Sequence, residues 1–202
     1  TETLGDLYAM HWPYKQHETS RNQRLLPYHE ELKKVGACFG QSGEYERPMW
    51  YALSKTNPEY EYSFNNQNWY RSVDYESKNT VKNVGLFELS PFSKYEIKGK
   101  EAYVELQRLC TANIKNEIGK CTYTHMLNEG AGIETDLTVV CIDKDHFRII
   151  SSAAVRTHDK AHILKHLSND VEFKDITDDL VCLEIFGPKS RDLLEKISNE
   201  NL

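Results

Sequence analysis

The sequence predicts an α+β protein with mixed, mostly antiparallel sheets and packed helices. Three observations lead there. From Val84 onward, stretches with every second residue apolar alternate with stretches of helical spacing. Their order reads β-α-β-β-β-α-β-β-α, so helices fall between hairpin-type strands rather than after every strand. No GxGxxG follows a strand, and no GxxxxGK runs into Ser or Thr, so the chain carries neither a dinucleotide fingerprint nor a Walker loop.

The chain divides near residue 80. Residues 1–80 read as an irregular, aromatic-rich linking segment, with Tyr, Trp and Asn dense in "NPEYEYSFNNQNWY". Short helices are expected at 27–35, where Pro27 suits a first helical position, and at 70–83. "GACFGQSGEYERPMWYA", with three glycines and a proline, reads as a structured loop whose rings pack on a neighbouring surface. Beyond it, "SKYEIKG" alternates as a half-buried strand does. "KEAYVELQRLCTANI" sets Ala102, Leu106, Leu109 and Cys110 at helical spacing, with Asn113 as terminator. "CTYTHML" and "ETDLTVVCID" are strands joined by a turn at Asn128, Glu129 and Gly130. "DHFRIISSA" is another strand, and "RTHDKAHILKHL" an amphipathic helix. "VEFKDI" and "LVCLEIF" are strands, and Pro188 is expected to open the last helix.

Composition narrows the function classes. Charged residues make up 28% of the chain and hydrophobic residues 39%, as in a globular protein. The net charge of −6 argues against a nucleic-acid partner, which requires a basic surface. No apolar run is long enough to span a bilayer. The five cysteines are odd in number and show no CxxC spacing, so they read as reduced, packed thiols in a reducing, cytoplasmic setting. The first residue is not Met and no leader pattern follows, so the chain reads as a mature or excised piece.

Few motifs carry chemistry. GxSxG and HExxH do not occur. His158, His162 and His166 recur every four residues along one helix face, but Asp159 and Lys165 share that side. The expectation is a solvated stripe rather than a metal site. "MHWPY" reads as an anchoring segment that buries its rings. In the "ETDLTVV" strand, Glu134, Asp136 and Thr138 share one face, with Thr135, Leu137 and Val139 on the other. Alternation alone makes Asp136 an ordinary polar-face residue.

Five stretches in order, "VGLFELSPFSKYEIKG", "LQRLCTANI", "YTHMLNEGAGIETDLTVV", "FRIISSAAVRTHD" and "LEIFGPKSRDLL", resemble the folate-binding domain of the aminomethyltransferase family, the glycine-cleavage T-proteins. "YAMHWPYKQHETSRNQRLLPYHEELKKVGACFG" and "EYERPMWYA" are similar to a segment of dimethylglycine and sarcosine dehydrogenases that plain T-proteins lack. Together the matches run from Leu4 to Leu194. The resemblance implies a T-protein-like fold, with 81–202 as the incomplete front part of the folate-binding domain. It implies tetrahydrofolate as cofactor. A one-carbon unit from a small methylated amine, carried as its iminium, would be captured as 5,10-methylenetetrahydrofolate. It further implies an upstream FAD domain outside this chain.

Residue by residue, Asp136 matches the family's catalytic carboxylate, with Thr135 in place of a first acid. Tyr123, Met126, Leu127 and Asn113 match folate-contacting positions. Ser152 stands where T-proteins often carry Asn, and Phe92 where a Met commonly lines the site. Two alternatives remain on this basis. One is a stand-alone glycine-cleavage aminomethyltransferase. The other is a non-catalytic member like the regulatory subunit of pyruvate dehydrogenase phosphatase.

Overall fold

The computed structural model describes residues 2–42 and 44–198. In chain order the elements are α1 Glu2–Asp6, α2 His29–Lys34, β1 Ala37–Ser42, β2 Tyr45–Tyr51, α3 Tyr70–Lys82, β3 Gly85–Glu88 and β4 Ser93–Lys98. They continue as α4 Ala102–Leu109, β5 Cys121–Leu127, β6 Ile133–Asp143, β7 His146–Ser151, α5 Arg156–His166, β8 Glu172–Asp175, β9 Leu183–Phe186 and α6 Ser190–Ile197. The α+β expectation holds, and every strand pair is antiparallel. No helix among the described residues is long and apolar enough to cross a membrane.

Two compact units emerge, Thr1–Leu89 with Cys182–Leu202, and Ser90–Val181. This differs from a division at residue 80. The cause is long-range pairing: β3 runs antiparallel to β9, Gly85 opposite Phe186 and Glu88 opposite Leu183. That ribbon ties the late segment to the early one.

In the first unit, the segment expected to be a loop is an antiparallel β1–β2 hairpin. Pro48 is tolerated because the register shifts beside its partner Phe39, as a bulge allows. The hairpin buries Cys38 and Trp50 against Trp69, with Tyr60 and Tyr62 packed alongside. Tyr60 stands edge-on to Trp69 at 4.9 Å and stacks on Tyr62 at 5.6 Å. Half-buried Trp12 packs on Phe64 at 4.4 Å, but Met10 and Tyr14 of "MHWPY" stay exposed, so the expected burial of that segment's rings is only partial. Arg21 donates Nε and Nη2 to Glu46 at 2.7 and 2.6 Å, and the Asn22 N–H adds a third bond at 2.8 Å. Pro27 and Pro188 each lie two residues ahead of a helix rather than opening it. Gly187 has φ +124, and a Cβ there would sit 2.4 Å from the Asn83 carbonyl oxygen. Gly187→Ala is therefore expected to destabilise this unit by about 1–3 kcal/mol, read as a lowered denaturation midpoint. An unchanged midpoint would refute that reading of the turn.

The second unit is a five-stranded sheet in the order β5-β6-β7-β4-β8. Alternation sends Met126, Leu137, Val139, Phe147, Ile149, Tyr95 and Ile97 to one face, all at most 2% exposed. Helices α4 and α5 cover that face with Ala102, Leu106 and Ile163. Helix α4 ends at Leu109 rather than at Asn113. Cys110 is already extended and bridges to Met126, so the chain leaves the helix to run beside β5.

Candidate functional site

The opposite face of that sheet carries the candidate chemistry. The β5–β6 hairpin sets it up. Asn128 Oδ1 accepts the N–H groups of Gly130 and Gly132 at 3.0 and 2.9 Å, and the Asn128 N–H reaches the Gly132 carbonyl. This Asx-type turn fixes the register, which places His125 opposite Asp136 and Tyr123 opposite Thr138. Tyr123 and Asp136 are therefore diagonal neighbours on one face. The Tyr123 hydroxyl donates to Asp136 Oδ2 at 2.9 Å. That bond raises the Tyr123 phenol above its usual pKa. Among the described residues no Lys, Arg or His forms an ion pair with Asp136, and its Oδ1 has no protein partner.

Leu137 and Ser93 both pair with Ser151. Phe92 and Ser152 lie just past that pair, beyond the ends of β4 and β7, next to the end of the sheet where His125 pairs with Asp136. Ser152 is extended and exposed, and Phe92 is half-buried. Leu127 lies on the same side at the hairpin end, 37% exposed. Two expected contacts do not join. Met126 is fully buried in the core, because a period of two turns it away from its neighbours His125 and Leu127. Asn113 lies in the segment beside β5, and its Oδ1 receives Gln107 Nε2 at 2.6 Å.

Two nearby groups escaped the sequence reading. The His125 ring stands edge-on to Tyr123 at 5.6 Å, and two-residue spacing from Tyr123 was the signal that placed it there. Lys94, 4% exposed, donates Nζ to the carbonyls of Ser90, Phe92 and Thr177 at 2.8, 2.9 and 3.2 Å. It thereby holds the turn that delivers Phe92, and no local pattern marks it. Farther along this face, burial would push Glu96 up, but Lys98 and Arg148 outweigh it and hold the carboxyl at about 2.

Residues 28–202 match the family model described as the GCVT N-terminal domain. The chain belongs to that family. This GCVT N-terminal domain is 41% identical over 202 residues to 4-methylaminobutanoate oxidase (formaldehyde-forming) of Paenarthrobacter nicotinovorans, covering 99% of the chain and 24% of the relative. It is 34% identical over 204 residues to the mitochondrial dimethylglycine dehydrogenase of Rattus norvegicus, covering 100% of the chain and 24% of the relative. The chain thus spans about a quarter of the curated relatives it matches. The crystal structure of glycine cleavage system aminomethyltransferase T from Bartonella henselae superposes with a TM-score of 0.72 at 25% identity, covering 89% of this domain and 45% of that chain. The family match begins at residue 28, so it takes in much of the aromatic segment as well as the five-stranded sheet.

Proposed function

We propose that the Tyr123–Asp136 face binds tetrahydrofolate and serves one-carbon transfer within an enzyme that oxidises N-methylated amines. The observation that supports this best is the Tyr123–Asp136 hydrogen bond on a sheet face that leaves Asp136 exposed. The donor set fits the cofactor. A carboxylate with one oxygen fixed and one open suits the N–H groups of a pterin, and Tyr123 and Phe92 offer flat apolar surface beside it. Tetrahydrofolate, when bound, supplies the nitrogen nucleophile that takes up the one-carbon unit, giving 5,10-methylenetetrahydrofolate.

The chain's own groups do the rest. Tyr123 fixes the carboxylate's orientation through Oδ2. The open Oδ1 of Asp136 orients the nucleophilic N–H, balances the cationic iminium and accepts the proton released. Ser152, extended and exposed just past β7, offers a hydroxyl on the neighbouring strand's side. Placement on strands rather than a loop tip keeps these positions fixed. The amine is oxidised by an FAD-dependent partner domain outside this chain, in keeping with relatives named for oxidising methylated amines. A reducing, cytoplasmic setting is proposed from the odd number of cysteines and the lack of CxxC spacing.

Calorimetric titration of a full-length enzyme carrying this domain with tetrahydrofolate tests the assignment. Saturable binding that weakens in Tyr123→Phe is expected. No detectable binding by the wild type would overturn it and favour a non-catalytic member of the family.

A further inference from the structure

The first unit holds a cavity of about 500 Å³ to which the folate reading gives no role. Tyr14, Trp50, Tyr60, Trp69 and Tyr70 line it, together with Asp74. Neighbouring rings meet at steep angles, as the walls of a box do. Tyr60 stands edge-on to Trp69 at 4.9 Å and 72°. Tyr14 meets the same indole at 6.3 Å and 89°, and Trp50 meets Tyr60 at 6.2 Å and 80°. Edge-on packing is ordinary in a closed aromatic core. These rings instead leave space, and two of them, Tyr14 and Tyr70, are exposed. Tyr14 is also held at a backbone cost. Its φ is +61, in the left-handed region that bulky side chains rarely adopt. Gln16 fastens the segment there. Its Nε2 donates to the Tyr14 carbonyl at 3.1 Å, its N–H donates to the Tyr62 hydroxyl at 2.8 Å, and its Oε1 accepts the Gln41 N–H at 2.8 Å. Burial does not account for a strained, exposed ring fixed beside a cavity, whereas a ligand in the cavity does.

We propose that this aromatic box binds a small N-methylated ammonium ion. Ring faces carry negative potential and attract a cation lying within about 6 Å of their centres. The methyl groups of such an ion suit apolar walls, and its nitrogen has little hydration to lose. A bare ammonium or alkali ion would give up strong hydration for no hydrogen bonds from the rings. Asp74 supplies the opposite charge. It lies one helical turn beyond Tyr70 on α3, and so on the same helix face. Lys78 meets its Oδ2 at 2.7 Å, but both side chains are exposed, and a pair of that kind yields readily to a competing cation. The site stands on these residues and not on the folate reading.

The test titrates the 202-residue chain with choline chloride at constant ionic strength, followed by tryptophan fluorescence and calorimetry. Saturable binding is expected. The uncharged isostere of choline, 3,3-dimethylbutan-1-ol, should bind about 3–30-fold more weakly, because it keeps the shape and loses the cation. Tyr70→Ala and Asp74→Asn, at positions that are not buried, should leave the fold intact by circular dichroism and each weaken choline about 3–10-fold. Tyr8→Ala, an exposed tyrosine outside the box, should change nothing. No saturable choline binding overturns the proposal. So does equal binding of the neutral isostere, or choline affinity unchanged in both Tyr70→Ala and Asp74→Asn. A trimethyllysine peptide that binds more tightly than choline would overturn the assignment to a free small ion.

Discussion

Replacing Asp136 by Asn in a full-length enzyme carrying this domain should lower folate-coupled methylene transfer by about 10²–10⁴-fold, the usual worth of a positioned acid–base group. Asn keeps the size of the side chain and can still accept a hydrogen bond from Tyr123. It cannot take up a proton or balance a cation. Amine oxidation should continue at its normal rate, so the one-carbon unit should appear as free formaldehyde, the product for which one relative is named. Tyr123→Phe should cost less than about tenfold, since it removes one hydrogen bond worth about 0.5–1.5 kcal/mol and leaves the carboxylate in place. Formaldehyde release and methylenetetrahydrofolate formation, measured side by side, give the split. Wild-type transfer in Asp136→Asn would remove the carboxylate from the mechanism.

Arg21→Ala should destabilise the first unit by about 3–5 kcal/mol. The Glu46 side chain is 1% exposed, and removing its partner leaves a buried carboxylate uncompensated. The pH dependence follows from the same pair. Arg21's hydrogen bond is the main reason that Glu46 lies below its ordinary value of 4.5, with burial pulling the other way and the Asn22 N–H helping. A carboxyl whose folded pKa is depressed stabilises the fold fully above 4.5, and that contribution fades as pH falls through the folded value. Urea denaturation at pH 7 and at progressively lower pH should show the gap between wild type and Arg21→Ala narrowing with acidification. A gap below about 1 kcal/mol at pH 7 would show instead that solvent reaches Glu46.

Local periodicity made much of the second unit legible. Alternation in "ETDLTVVCID" put Asp136 on the face where the structure has it, and the Asn128 turn fixed its partner strand. The same period of two sends Met126 to the core, a consequence that motif similarity over "MLN" conceals. What local pattern does not carry is pairing between distant segments. The β1–β2 hairpin looked like a loop because glycines and Pro48 mask its alternation, and its bulge forms only against Phe39. The β3–β9 ribbon joins segments far apart in sequence, so the unit boundaries could not be read from composition. The groove between α5 and the β5–β6 turn, lined by His158, His162, His166 and Glu134 among others, is a similar case. A helical wheel shows three histidines facing out, but Glu134 arrives from a hairpin that the wheel does not contain. His125 and Lys94 reach the site face by register alone.

The pairing of Glu88 with Leu183, extended by the Leu89 N–H bond to the Cys182 carbonyl at 2.8 Å, has a mechanical meaning. The backbone enters and leaves Ser90–Val181 at one point. Tension along the polypeptide, as during threading into a protease or translocation, crosses the ribbon first at its outer pair, Gly85 with Phe186. The sheet that carries Asp136 is thus bypassed and bears no load until the four residue pairs of β3 and β9 have parted.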